Sequence, residues 1–249
     1  MTDTALIADL TALGGAGAMV AAFGPQTPPE TGPGVVRIGV DREGALAFGP
    51  MDSFDILLTT AAGAPRPWIS VKPARLDATL AELEARVAAQ PAAAAALVQV
   101  LRVTPDVPFA QALALESLAY SMLLASDGFA AWRRANPTRD RPDDAQPRVR
   151  LDVGREIAIR LSRPASRNAF DARMRDELCE ALAFAAEHPE APPVVLSGEG
   201  PAFSAGGDLD EFGRAGDPAL AHLVRALRSP ALAAHRLGDR LTVLLHGAC

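Results

Sequence analysis

The chain of 249 residues has few cysteines, few aromatic side chains and no long uninterrupted apolar run. Two cysteines, Cys179 and Cys249, cannot build the disulfide framework of a small secreted domain, and they favour a reducing, cytoplasmic compartment. Because no run of about 18 uncharged apolar residues occurs, the sequence predicts no membrane span. The apolar stretch 10–23 follows Met-Thr-Asp-Thr without Lys or Arg, which argues against a signal peptide.

Positive charge is also scarce, since 24 Lys and Arg stand against 30 Asp and Glu and give a net charge of −6. This balance argues against nucleic acid or an anionic membrane as the main partner. It leaves room for an anionic small ligand, because a local basic cluster can hold phosphates on an acidic protein. With 49% hydrophobic but only 5% aromatic residues, the core is expected to be built from Ala, Leu and Val.

Two proline-rich breaks, 25–33 and 136–148, divide the chain. The second is polar and aperiodic, so we expect an N-terminal α+β region at 1–135, a linker at 136–148 and a C-terminal domain at 149–249. The N-terminal region is mainly helical, and its helix at 109–125 is apolar nearly all round, as in a buried helix. Its simplest interpretation is a packing or oligomerisation module. Its predicted strands are 35–40, 54–60 and the extended 66–71, and its helices start near 76, 91, 109 and 129.

The C-terminal region begins with two alternating segments joined at Gly154-Arg155, which predict a β-hairpin. Asp171 caps the next predicted helix, whose apolar face is Met174, Leu178, Leu182 and Ala185. The apolar run 194–196 predicts a strand buried on both faces. A glycine-rich loop, a helix from Asp208 and a strand at 241–245 follow, so the order of elements predicts an α/β fold.

The most informative stretch is SGEGPAFSAGGDLDEF at 197–212. Gly206 and Gly207 allow the backbone to approach a ligand closely, and a helix beginning at Asp208 would add free N–H groups and a positive dipole. These are the groups that stabilise a carbonyl oxygen while negative charge develops on it. Such turns also bind phosphates, and many bind no ligand, whereas both nucleotide fingerprints are absent.

Two motifs carry a resemblance to a known family: LSRPASRNAF at 161–170 and GPAFSAGGDL at 200–209. They are similar to the patterns LNRPxxxNAL and GxxFxAGxDL of the enoyl-CoA hydratase/isomerase family, the crotonases. His246-Gly247-Ala248 resembles the strand end that leads into this family's next glycine-rich loop. The segments 54–60, 65–68 and 116–124 are similar to the N-terminal extension of a longer crotonase subgroup. The resemblance implies an incomplete crotonase-like (ββα) C-terminal domain.

The resemblance also implies roles for individual residues. The N–H of Gly207 would be one donor of an oxyanion hole for the thioester carbonyl, and the carbonyl of Ala205 would meet the adenine amino group. Asp208 would fix the loop by accepting backbone N–H bonds, and the Arg163 and Arg167 side chains would meet phosphates. The implied coenzyme A surface consists of Arg163, Ala165, Arg167, Phe203, Ala205, Gly206 and Asp208. No metal and no separate cofactor are implied, since coenzyme A is part of the substrate.

The implied protein is an acyl-CoA-binding lyase or isomerase of fatty acid metabolism that stabilises a thioester enolate and forms a homotrimer or hexamer. The family's second oxyanion donor and its catalytic acids follow the position of His246-Gly247, so we expect this chain to be a fragment and inactive alone. Glu199, Asp210 and Glu211 are interpreted as partners of the helix dipole. The alternatives are a cofactor-free enolate oxygenase of the dihydroxyphenylacetyl-CoA dioxygenase type and a non-catalytic acyl-CoA-binding or assembly subunit.

Overall fold

A computed structural model describes residues 12, 15–139 and 145–247. The chain forms two compact units, Met1–Pro108 and Phe109–Cys249. Each unit contains its own four-stranded sheet. Part of the predicted linker 136–148 lies outside the described residues, as do Ala248 and Cys249.

The first unit is a parallel sheet with strands in chain order. Its strands are β1 (Ala16–Ala22), β2 (Gly34–Asp41), β3 (Ile56–Thr59) and β4 (Ile69–Ser70). Helices α1 (Leu76–Ala89) and α2 (Pro91–Val103) follow, and α2 packs against β2. The core centres on Ile38, Leu58, Leu80 and Val98. The predicted strands and helices of this unit are confirmed, but β1 was not predicted because its alanines and glycine have low strand propensity.

The second unit has a sheet in the order β5-β6-β7-β8. Its strands are β5 (Val149–Val153), β6 (Ile157–Leu161), β7 (Val194–Gly198) and β8 (Leu241–Val243). The hairpin β5-β6 is antiparallel, and β7 and β8 add in parallel. Helix α5 (Ala172–Glu187) connects β6 to β7 and buries the predicted apolar face against the sheet. Asp171 caps it, with its side chain accepting the Met174 N–H at 2.7 Å.

Residues 208–213 form turns, so the predicted helix from Asp208 is wrong. The helix begins only at Pro218, because the Asp217 carboxylate accepts the N–H groups of Ala219 and Leu220 and caps it there. This element is α6 (Pro218–Leu227), and a further helix, α7 (Pro230–Leu237), follows directly. No helix dipole therefore acts at the glycine-rich loop through residue 208.

Helices α3 (Phe109–Leu124) and α4 (Asp127–Ala135) belong to the second unit. The units therefore divide after Pro108, earlier than the boundary predicted at 136–148, because α3 packs against α6. The prediction that α3 is buried all round is wrong. Leu118 and Met122 are 53% and 58% exposed, whereas Ser117 and Ser121 are its buried residues.

Among the described residues, no single helix is long and apolar enough to cross a membrane; two bent helix pairs meet the length and composition together.

Candidate functional site

The two sequence motifs meet along a short stretch of parallel backbone pairing between Phe170 and Gly207. The Phe170 N–H donates to the Gly206 carbonyl at 2.8 Å, and the Asp208 N–H donates to the Phe170 carbonyl at 2.8 Å. One step earlier, the Ala205 N–H donates to the Arg167 carbonyl at 2.9 Å. The loop after β6 therefore holds the glycine-rich loop after β7 by its backbone.

Asn168 joins the same two loops through its side chain. It is fully buried, and its Nδ2 donates to the carbonyls of Glu199 at 2.8 Å and Ala202 at 3.0 Å. Its Oδ1 accepts the Arg163 N–H at 2.8 Å. Sequence analysis assigned no role to this asparagine. Its position in the first motif, between two loops that must pair, was the available signal.

A buried ion cluster lies beneath the paired loops. The Arg163 guanidinium is 2.7 Å from the Asp208 carboxylate and 3.3 Å from that of Asp171. Arg148 approaches the Asp171 carboxylate to 3.1 Å. The Asp208 side chain also accepts the Asp210 N–H at 3.1 Å, which is the loop-fixing contact expected of it. The Arg163 guanidinium is thus paired with carboxylates of the two loops. This pairing argues against the predicted contact between Arg163 and a phosphate.

Gly207 is exposed, and its N–H has no acceptor among the described residues. The pairing with Phe170 uses the groups of residues 206 and 208, so the amide of Gly207 itself points the other way. Gly207 lines a cavity of about 960 Å³. A Cβ here would lie 2.7 Å from Cε1 of Phe212, so a side chain would displace that ring. A residue with a bare amide thus lies at the wall of the cavity.

The outer side of the loop pair consists of Ala165, Arg167 and Ala205, all exposed. Within the described parts of the chain, Arg167 forms no ion pair and the Ala205 carbonyl accepts no hydrogen bond. Gly206 has a φ of +80°, which favours glycine, and its N–H donates to Ser204 Oγ at 3.2 Å. Phe203 anchors the loop by packing on the core of the second unit.

Phe203 also connects the segment that begins at His246 to the glycine-rich loop, because the Phe203 N–H donates to the His246 carbonyl at 2.9 Å. The His246 ring lies 3.0 Å from the Gly200 carbonyl. All three motifs therefore meet at one end of the second sheet.

Of the three acids considered near the loop, only Glu211 lines the cavity. Burial is the main cause that raises its pKa, and the nearby Asp171 and Asp208 carboxylates add to the effect. Its Oε2 accepts the Ala172 N–H at 2.7 Å, which opposes the shift. Asp210 instead pairs with Arg139 at 3.1 Å. Glu199 accepts the Ser162 hydroxyl at 2.8 Å.

The cavity also contains a polar cluster, defined here as Ser117, Tyr120, Ser121 and Arg225, that sequence analysis did not single out. Arg225 donates to both serine hydroxyls and lies over the Tyr120 ring at 4.8 Å. Two serines four residues apart in an apolar helix were the available signal. In the described part of the chain, no three His, Cys, Asp or Glu side chains form a cluster that could hold a metal ion.

A β-hairpin is followed by a helix and a parallel strand, and the loops after β6 and β7 are paired next to the bare amide; this is the α/β arrangement that the crotonase resemblance implies. Residues 156–228 match the model of the Enoyl-CoA hydratase/isomerase family, so this segment of the chain is similar to that family.

Individual relatives match over part of the chain. The protein named "Probable enoyl-CoA hydratase EchA14" of Mycobacterium tuberculosis is 39% identical over 79 residues, which is 31% of each chain. The enoyl-CoA hydratase structure from Mycobacterium smegmatis is 31% identical, covering 41% of both chains with a TM-score of 0.37. That from Thermoplasma volcanium is 28% identical, also over 41% of both chains, with a TM-score of 0.36. The chain thus spans about a third of the length of the curated relatives it matches.

Proposed function

We propose that the second unit binds an acyl-CoA thioester and that the N–H of Gly207 donates to its thioester oxygen. The observation that carries the proposal is the bare amide of Gly207 at the wall of the 960 Å³ cavity. A hydrogen bond there stabilises the negative charge that develops on this oxygen when the thioester forms its enolate. The reaction class is that of a lyase or isomerase acting at the α or β carbon.

Coenzyme A would lie along the outer side of the loop pair. The exposed Arg167 offers a cation without an ion-pair partner in the described chain, and phosphates are its natural ligands. The Ala205 carbonyl is free to accept a hydrogen bond from the adenine amino group, as the family resemblance implies. Gly207 lines the cavity and follows the exposed Ala205 by two residues, so the thioester would lie between the coenzyme A surface and the cavity. Coenzyme A would be part of the substrate rather than a separate cofactor.

The Gly207 amide provides a direct test. In amide-resolved NMR of the 249-residue chain, acetyl-CoA should shift the Gly207 N–H resonance downfield, while coenzyme A without the acyl group should leave it nearly unchanged. Only the ester carries the carbonyl oxygen that would accept this hydrogen bond. The Gly206 amide is the matched control, because it already donates to Ser204 Oγ.

Two results would overturn the proposal. Absence of any binding of either compound would remove the acyl-CoA assignment. Binding with equal effects of both compounds on Gly207 would remove its role as the oxyanion donor. The cytoplasmic location and the homotrimer or hexamer stay predictions.

A further inference from the structure

The buried side of α3 is polar, although the helix carries many apolar residues. Ser117 and Ser121 are 9% and 6% exposed, whereas Leu118 and Met122 face outward. Burying hydroxyl groups in preference to Leu and Met costs free energy unless the hydroxyls have polar partners. Ser121 Oγ donates to the Pro218 carbonyl at 2.8 Å, and Ser117 Oγ lies 3.0 Å from His222 Nδ1. Both hydroxyls also accept from Arg225 of α6, so they help to hold its guanidinium.

Arg225 is held on one edge only. Its Nε donates to Ser117 Oγ at 3.0 Å, and its Nη2 donates to the Ser117 carbonyl at 3.2 Å and to Ser121 Oγ. The guanidinium carbon lies 4.8 Å from the centroid of the Tyr120 ring. The Nη1 atom of Arg225 has no acceptor among the described residues, and Arg225 lines the cavity. The contacts fix the orientation of the guanidinium and leave one N–H edge for another group.

The charge of Arg225 is not neutralised by the described protein, because no described carboxylate lies within 4 Å of it. The nearby charged group is a second cation, Arg175, which the Asp176 carboxylate neutralises at 2.8 Å. Arg228, one turn further along the same helix region, lies 3.7 Å from Glu180. A half-buried cation without a counter-ion is costly, and a bound anion would remove that cost.

Of the four acids in the described cavity lining, Glu116 is exposed and the other three are engaged within the protein. Asp171 and Asp208 pair with Arg163. Glu211 is bonded to the Ala172 N–H and lies near the Arg214 cation. Arg225 is therefore the half-buried cation of the described cavity wall that has no carboxylate within 4 Å.

A line of contacts connects Arg225 with the bare amide. Phe212 lies against Gly207, and its ring meets the Tyr120 ring edge-on with centroids 5.7 Å apart. The guanidinium lies on that same Tyr120 ring. An acyl group whose thioester oxygen is at Gly207 would therefore run along two aromatic rings before it reaches Arg225.

We propose that this cavity selects acyl-CoA esters whose acyl group ends in a carboxylate, and that the free edge of Arg225 binds this carboxylate. The inference rests on the proposed acyl-CoA function and specifies its substrate class. Arginine suits the role, since its planar N–H groups match a carboxylate and its charge persists at all working pH values. The thioester end and the carboxylate end are then fixed by separate residues.

The test is calorimetric binding of matched esters to the 249-residue chain: succinyl-CoA with butyryl-CoA, glutaryl-CoA with pentanoyl-CoA, and adipyl-CoA with hexanoyl-CoA. In at least one pair the carboxylated ester should bind about tenfold more tightly, the effect expected of one charge-assisted hydrogen bond. Arg225→Gln should reduce this ratio to below about twofold, mainly by weakening the binding of the carboxylated ester. Arg228→Gln is the control and should keep the wild-type ratio, because Arg228 faces Glu180.

The wild-type comparison is decisive even if Arg225→Gln fails to fold. Equal affinities within all three pairs would overturn the carboxylate site while leaving acyl-CoA binding intact. At the chain length that shows the preference, equal affinity for the corresponding ester with a terminal hydroxyl would also overturn it, because recognition would then be polar rather than anionic. If no CoA ester binds, the proposed function itself fails.

Discussion

At the scale of single residues, the paired loops depend most on Asn168. It is the side chain that bonds both loops at once, with two carbonyls and one N–H satisfied in a fully buried position. Its φ of +51° lies in the left-handed region, which asparagine tolerates better than most residues. Both the left-handed backbone conformation at this position and the three side-chain hydrogen bonds therefore favour asparagine.

Asn168→Asp should lower the free energy of unfolding by at least about 3 kcal/mol. The substitution replaces the donating Nδ2 with a buried carboxylate oxygen, which would face two carbonyl oxygens without a hydrogen bond. Urea unfolding followed by circular dichroism measures the change. Asn136→Asp is the control, since Asn136 is exposed at the end of α4 and its loss should cost about 1 kcal/mol or less. Equal losses for the two variants would contradict the assigned role.

At the scale of elements, two helices that are both rich in apolar residues, α3 and α5, contribute differently to the hydrophobic core. Helix α5 presents its leucines to the sheet, and Leu178 is 3% exposed. Helix α3 presents serines to the cavity and leaves Leu118 53% exposed. The same residue type is therefore structural in one helix and peripheral in the other.

Leu178→Ala should lower the free energy of unfolding by about 2–5 kcal/mol, because it leaves a void in the core. Leu118→Ala, the same substitution at an exposed position, should change it by about 0.5 kcal/mol or less. Chemical denaturation of both variants checks the pair. A loss at Leu118 as large as that at Leu178 would show that α3 is covered on its outer side in solution.

At the scale of the whole molecule, the division after Pro108 assigns α3 and α4 to the unit that contains the loop pair. Arg133 of α4 donates to the carbonyls of Leu209 and Phe212, in the turns that follow Gly207. Ser117 and Ser121 of α3 hold Arg225. These two helices thus support the cavity wall as well as the polar cluster.

A fragment of residues 109–249 should therefore give dispersed amide resonances and unfold cooperatively. A fragment of residues 149–249 lacks α3 and α4, so it should expose the apolar cavity wall and bind the dye ANS. Thermal unfolding and ANS fluorescence of the two fragments distinguish these outcomes. Equal cooperativity of both would place α3 and α4 outside the folding unit.

How much could be predicted from the sequence differs between these scales. The helix cap at Asp171 and the apolar face of α5 depend on local spacing, so they were predictable. The helix expected at Asp208 was not, since acids after a glycine pair suit a turn as well as a helix start. Leu118 and Met122 were misassigned because hydrophobicity alone does not tell which side of α3 meets a partner.

The sequence by itself determined the hairpin, the helix that follows it and the strand β7, because turn residues and periodicity act over a few neighbours. Only the tertiary structure decided that the Gly207 amide is bare, that Arg163 is bonded inside the fold and that Arg225 reaches the cavity. These properties depend on partners 45 to 108 residues away. No local pattern specifies which of many possible partners a folded chain will bring together.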